Sequence, residues 1–328
     1  MGGDRMTAKK EMKMLLLGTG ESGKSTILKQ MVLIYNGAFK DQDRHYLKET
    51  IFSLIAQSMH AILKAMPMLN LSVSPENDHQ RSVILSSPES HILRHQRDLF
   101  YAIRVLWSDP SVKEAVRHSH LFHLNDSAVY YFDSTERISS PGYLPTDEDI
   151  LRSSVMTTGI FETTIKIGEL TYKIFDTGGQ KSERKKWIHC LKNATTLVFV
   201  VSLSEYNQML YEDENQNRMQ DSLIVFESLC KTRWYTGTSI ILLLNKIDLF
   251  AEKLHHSPLG DYFPDYIAGD NFDAACNYLR DKFLSKASTK QIYAHYICAT
   301  DTRLTKSVLS TIQDQLLQLH LRDVQYLV

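Results

Sequence analysis

Apolar residues follow two rhythms along this chain. Residues 12–17, 198–203 and 240–244 are nearly continuous apolar runs without alternation, the pattern of parallel strands covered by helices on both faces. Between the second and third runs, residues 219–229 carry apolar positions at helical spacing, which predicts a right-handed strand, helix, strand crossover. Residues 161–167 and 170–176 read as strands joined by Gly168-Glu169, a hairpin that adds an antiparallel edge to the sheet. Residues 292–298 supply a last strand, and Val308, Ile312, Leu316 and Leu319 mark an amphipathic C-terminal helix. The first run stops at Gly18 and leads through a glycine-rich turn into a helical stretch over residues 24–33. Residues 41–133 differ: Leu47, Ile51, Leu54, Ile55 and Ile62 recur with helical period, a polar loop is expected near residues 72–82, and strand signals are few. The pattern is α/β with an all-helical block inserted after the first helix.

Composition narrows the class. A chain of 328 residues accommodates about two domains. Lys and Arg (37) almost balance Asp and Glu (38), so neither a basic nucleic-acid surface nor an acidic tail is expected. Four cysteines show no C-x-x-C pair, which fits a reducing compartment better than a disulfide scaffold. No apolar stretch approaches the roughly 18 residues of a spanning helix.

Three segments carry chemistry. Residues 18–25, Gly-Thr-Gly-Glu-Ser-Gly-Lys-Ser, fit G-x-x-x-x-G-K-[ST] between a strand and a helix, where glycines let amide N–H groups converge on phosphate, Lys24 offers a point charge and Ser25 a hydroxyl for Mg2+. A chance match in a chain of this length is of order one in a hundred. Asp176-Thr177-Gly178-Gly179-Gln180 ends a strand; Asp176 can reach Mg2+ through water and the Gly179 amide can reach a terminal phosphate. Asn245-Lys246-Ile247-Asp248 matches N-K-x-D. A carboxylate at Asp248 accepts from guanine N1–H and the exocyclic amine, whereas adenine has an acceptor at N1 and no amine at C2. A P-loop ATPase or small-molecule kinase would share residues 18–25 without that guanine reader.

Together these segments, with Leu124-Asn125-Asp126-Ser127-Ala128, Thr157-Thr158-Gly159-Ile160, residues 179–187, Asn217-Arg218-Met219 and Cys298-Ala299-Thr300, resemble a heterotrimeric G-protein α subunit. The resemblance implies a Ras-like P-loop GTPase domain over residues 1–38 and 153–328, with an all-α helical domain inserted at 39–152 and the nucleotide between them. It implies a GTP/GDP switch that hydrolyses GTP with bound Mg2+. By the same resemblance Glu21, Ser22, Gly23, Lys24, Ser25 and Thr26 form the phosphate loop, and Ser25 and Thr157 ligate Mg2+, with Asp176 acting through water. Gln180 orients the attacking water and shares the catalytic role with Lys24. Gly179 contacts the terminal phosphate; Ser127, Leu151 and Arg152 contact the nucleotide; Asn245, Lys246, Asp248, Cys298, Ala299 and Thr300 form the guanine pocket. Switch segments are implied at 153–159, 178–187 and 211–219. Implied partners are a βγ dimer, a seven-helix receptor, regulators of the RGS type and an effector. The implied location is cytoplasmic, peripheral at the plasma membrane if the native start is lipidated.

The chain departs from the family in places. The family's catalytic arginine lies three residues before the Mg2+-binding Thr, where this chain has Ser154; such an arginine is worth about 10³ to 10⁵ in rate, so slow hydrolysis is expected. Two readings stay open: Arg152 substitutes, or turnover is negligible and the signal ends by exchange or with a regulator. Asp221 replaces a glutamate that pairs with Arg184, and the missing methylene is expected to weaken that lock. Only 17 residues precede Gly18, and Met6 stands where a myristoylation signal wants Ser or Thr; a shortened start is the expectation, weak attachment the alternative. The end of the chain, residues 322–328, is aliphatic without a nearby cysteine and assigns no receptor class. His118, His120 and His123 read as solvated rather than zinc ligands. The sequons at Asn125 and Asn193 lack a secretory context, and the charge run at 181–186 reads as a partner surface that follows the nucleotide.

Overall fold

In the computed structural model, which describes residues 11–86, 96–190, 194–232, 239–287 and 291–325, the apolar runs become a six-stranded sheet. Its strands are β1 (Glu11–Leu17), β2 (Ile160–Ile167), β3 (Leu170–Thr177), β4 (Thr196–Ser202), β5 (Ser239–Asn245) and β6 (Ile292–Ile297), in spatial order β2-β3-β1-β4-β5-β6. Only β2 runs antiparallel, paired with β3 along the hairpin; β1 lies parallel between β3 and β4. The order therefore turns at β1, and the carboxyl ends of the strands beside such a turn are where open α/β sheets take ligands.

Chain contacts divide the molecule into two units, Phe39–Val155 and the residues on either side of it. In the sheet unit, alternate residues of each central strand feed opposite layers. Leu15, Phe199 and Leu242 pack with Phe226, Phe250 and Phe283 of the helices Arg218–Lys231, Ile247–Leu254 and Phe272–Ser285. Leu16, Val200 and Leu243 pack with Ile27 and Met31 of Lys24–Asn36 and with Ile312 and Leu316 of Thr302–Gln325. Two covered faces explain runs without polar alternation. Leu319, Asn193, the lipidation positions Gly2 and Met6, and the last three residues lie outside the residues whose side chains are described.

The unit Phe39–Val155 is helical. Its longest helix, Asp41–Ala65, buries Ile51, Ile55, Met59 and Ile62 at steps of four and three residues, a stripe shared with Leu106 of Gln96–Trp107 and Val112 of Pro110–Arg117. The expected polar loop near residues 72–82 is corrected: a short turn Pro75–Asn77 leads into a helix Asp78–Ser86. Its apolar residues sit together as Val83, Ile84 and Leu85, so no stripe betrayed it, and Ser82 and Ser86 turn their hydroxyls back to carbonyls one turn earlier (3.0 and 2.7 Å), a local bond that lets serine sit in a helix.

Asp149 anchors the last helix of this unit, Asp147–Arg152. Its fully buried carboxylate accepts from both Arg137 nitrogens (2.7 and 2.8 Å), from Tyr130 Oη (2.8 Å), Tyr143 Oη (3.0 Å) and the Thr146 amide (2.9 Å). Burial raises the pKa, but the Arg137 and other hydrogen bonds prevail and bring it down to about 2. A depressed folded pKa stabilises above the unfolded value near 3.9, so this contribution of about 2 kcal/mol is present at neutral pH and lost as pH falls from 4 through 2. Asp149→Ala is expected to cost about 3 kcal/mol in denaturant unfolding at pH 7, because the buried Tyr143 hydroxyl and the Thr146 amide lose their acceptor along with the half-exposed Arg137, with the difference shrinking towards pH 2.

Candidate functional site

β1 delivers the chain into the glycine loop, and two glycines there are required by geometry. Gly18 has φ +143°, and a Cβ on it would stand 2.2 Å from the Val200 carbonyl oxygen; Gly23 has φ +101°, and a Cβ would stand 2.2 Å from Asn245 Nδ2. Gly23→Ala is therefore expected to lower nucleotide affinity at least tenfold in a filter-binding titration, since both the left-handed backbone and the contact must yield. Gly23 precedes the helix Lys24–Asn36, whose first amides have no partner within the helix and face any anion held by the loop. Ser22 Oγ closes the turn on the Thr19 carbonyl (3.0 Å). Lys24 bends back to donate to the Gly18 and Thr19 carbonyls (3.0 and 2.7 Å). Burial pulls its ammonium down to about 8, with the Asp176 and Glu205 carboxylates acting in the opposite sense.

Beside Lys24 three oxygens converge. Ser25 Oγ donates to Asp176 Oδ2 at 2.6 Å and lies 2.9 Å from Thr157 Oγ1. Asp176 is only 4% exposed, and its Oδ1 has no hydrogen-bond partner among the described residues; burial pushes its pKa up against the Ser25 bond and the Lys24 charge. Gly179 passes so close that a Cβ would lie 2.5 Å from Lys24 Nζ and from the Thr19 carbonyl oxygen. Gln180 follows it, its Cγ 3.5 Å from where a Gly20 Cβ would be. Thr26 lies in the first turn of the helix, half-buried.

The other end of the loop is tied to β5 and β6. Asn245 is buried; its Nδ2 donates to the Ser22 carbonyl (2.9 Å) and its Oδ1 accepts from the Ala299 amide (3.0 Å). Gln30 Nε2 donates to the Ala299 carbonyl (2.9 Å), Thr305 Oγ1 to the Cys298 carbonyl (3.1 Å), and Thr300 Oγ1 lies 3.3 Å from Cys298 Sγ. Lys246 adopts a left-handed φ of +61°, after which Asp248 stands exposed in the first turn of Ile247–Leu254. Asn245 thus ties the glycine loop to residues 298–300, and Asp248 lies close enough to Cys298 to act on its thiol.

Sequence reasoning assigned Glu205 no role and placed Arg218 only within the implied switch segment at 211–219. Glu205, 3% exposed, lies 3.0 Å from Arg218 Nε and 3.3 Å from Lys246 Nζ. Arg218 also reaches Glu21 (2.8 Å) and the Gly20 carbonyl (3.0 Å). The available signal was a lone carboxylate just beyond the apolar run of β4. Asp221 does not leave its pair open: Arg184 donates to Asp221 Oδ1 at 3.0 Å through one nitrogen, to Oδ2 through another, and to the Gly179 carbonyl at 2.9 Å through Nε. The shorter acid still reaches Arg184. Lys181 is held by Asp213 and Gln216, and His118 by Glu114.

Ser127, Leu151 and Arg152 belong to the helical unit. There Ser127 Oγ donates to the Arg152 carbonyl (3.0 Å), Leu151 is buried, and the Arg152 guanidinium lies 4.5 Å over the Tyr130 ring with its Nε 3.1 Å from Glu148.

The family model for the G-protein alpha subunit matches residues 2–316. The chain belongs to that family. It is 64% identical to a guanine nucleotide-binding protein subunit alpha of Coprinellus congregatus over 98% of this chain and 92% of the relative. It is 52% identical to a guanine nucleotide-binding protein alpha-1 subunit of Mycosarcoma maydis, and 51% to a subunit alpha of Cryphonectria parasitica, covering 98% and 97% of this chain and 92% of each relative. This G-protein α subunit is a guanine-nucleotide-binding GTPase that acts as a signalling switch. No helix among its described residues is long and apolar enough to cross a membrane.

Proposed function

We propose that the loop of residues 18–25, with Thr157, Asp176, Gly179 and Gln180, holds the triphosphate and a Mg2+ ion, while Asn245, Lys246, Asp248 and residues 298–300 hold guanine. The observation that carries this reading is the meeting of Ser25 Oγ, Thr157 Oγ1 and Asp176 within hydrogen-bond reach, beside a buried Asp176 oxygen that lacks a partner. Two hydroxyls and a carboxylate are the hard oxygen set that Mg2+ accepts, with waters completing its shell. When bound, the ion neutralises charge on the phosphate oxygens. Lys24 exchanges two carbonyls for phosphate oxygens, which favours its charged form. Gln180 orients the attacking water in line with the terminal phosphate, and GTP and water become GDP and phosphate. The Gly179 amide donates to that phosphate; once it leaves, residues 153–159 and 178–187 lose a shared anchor.

Hydrolysis is slow in this reading, because position 154 offers a hydroxyl where a cation would neutralise the transition state. Arg152, already engaged by Tyr130 and Glu148, favours a second reading in which intrinsic turnover is negligible and exchange or a regulator ends the signal. A βγ dimer, a seven-helix receptor, RGS-type regulators and an effector are its partners, met at the cytoplasmic face of the plasma membrane. Competition of GTP and ATP for the nucleotide-free chain, followed by Mg2+ addition, tests both readings. GTP should win by several orders of magnitude; equal affinity overturns the site, and absence of a hydrolysis burst selects the second reading.

A further inference from the structure

The ladder between β2 and β3 ends at Ile160 and Thr177, so the next residue on each strand needs other partners for its backbone. Gly178 N–H donates to the Gly159 carbonyl (3.1 Å), which extends the pairing by one bond. The Gly159 N–H is taken instead by a side chain: Glu183 Oε2 accepts it at 2.6 Å. Glu183 is 12% exposed in its side chain, and Lys186 Nζ holds both of its oxygens (2.7 and 2.8 Å). The carboxylate is thus fixed in place before it meets Gly159.

The approach is close because Gly178 has no side chain. A Cβ on Gly178 would lie 2.7 Å from Glu183 Cβ and Cγ, and 2.7 Å from the Thr157 carbonyl oxygen. Trp187 Nε1 donates to the Gly178 carbonyl (2.8 Å) and so holds the next peptide unit of the same residue. Gly159 itself has φ +92° with open space around its Cβ position, so the glycine there serves the turn and not a contact. Thr157 lies two residues before the amide that Glu183 grips, and its hydroxyl stands 2.9 Å from Ser25 Oγ.

We infer that Glu183 is a positioning residue: by accepting from the Gly159 amide it fixes the turn that presents the Thr157 hydroxyl beside Ser25 and Asp176, and so sets the affinity of that oxygen cluster for a divalent cation. The inference rests on the proposed role of those three residues. It makes the two segments that meet the terminal phosphate bond to each other directly, through protein groups alone.

The test is a titration of Mn2+ into the GTPγS-loaded full chain, followed by the electron paramagnetic resonance of free Mn2+. A hydrogen bond to a charged group is worth about tenfold in an equilibrium, so Glu183→Ala should raise the Mn2+ dissociation constant by about tenfold. Glu183→Gln keeps a carbonyl acceptor and should restore most of that loss. GTPγS affinity measured in EDTA should match the parent in both variants, which establishes that they fold. An unchanged Mn2+ constant in Glu183→Ala, or a Gln variant as weak as the Ala variant, overturns the inference. So does a Lys186→Met variant that reproduces the whole shift, since the ion pair would then be the cause. Failure of the parent to bind Mn2+ with GTPγS would instead strike the proposed cation site.

Discussion

Replacing Ser154 with arginine is expected to accelerate single-turnover GTP hydrolysis by about 10³-fold, equivalent to about 4 kcal/mol of barrier. The expectation has two parts. Ser154 is exposed on the irregular stretch that follows the helix Asp147–Arg152, so a longer side chain meets no packed core there. The nearest arginine in sequence is committed elsewhere, with its guanidinium on the Tyr130 face and its Nε on Glu148. Tyr130 is itself fixed by its bond to the buried Asp149, so the platform beneath Arg152 is rigid. Leaving it would give up a cation–π contact of about 1 kcal/mol as well as a half-exposed ion pair of small value. The measurement is phosphate release after Mg2+ is added to the GTP-loaded chain. Equal rates in the parent and Ser154→Arg would mean that a cation already serves the transition state.

Asp248→Ala is expected to remove most of the base selection. Sites built to hydrogen-bond a group reject analogues lacking it by about 10⁴ to 10⁵, and in the proposed site the exposed Asp248 carboxylate is the acceptor that would distinguish guanine from adenine. Without it, the preference for GTP over ATP should fall to about tenfold. GTP should weaken by about 10³-fold or more, while ATP stays nearly unchanged. Asn245 binds Ser22 and Ala299, not Asp248, so the pocket should keep its shape in the variant. Competition against labelled GDP reads the result, and a preserved preference would assign recognition to the loop at residues 298–300.

Both experiments concern residues that the sequence exposes, because chemistry at strand ends is written in short motifs. Gly18 to Ser25, Asp176 to Gln180 and Asn245 to Asp248 each follow an apolar strand, and the sheet gathers their ends on one side. The strands were legible because burial on both faces removes polar residues from the second half of β1 and from the middle of β4 and β5. The helix Asp78–Ser86 was not, since three adjacent apolar residues make no stripe. The ion pairing of Glu205 with Arg218 was also missed. Their partners Lys246, Glu21 and Gly20 lie far away along the chain, and no local pattern encodes a long-range ion pair. Glu183 was hidden in a charge run for the same reason: only the fold brings Gly159 to it.

Insertion of the helical unit between Ala38 and Met156 has a consequence for synthesis. β1 needs Thr171 to Asp176 on one side and Thr196 to Phe199 on the other. At about 5–20 residues per second, a ribosome takes roughly ten to thirty seconds to supply the first of these neighbours. During that interval Phe39–Val155 emerges complete and can collapse on its own stripe, while Met12 to Leu17 waits as a bare apolar ribbon. In a nascent chain of this α subunit that segment therefore gains its first neighbour only when β3 arrives, and its second with β4.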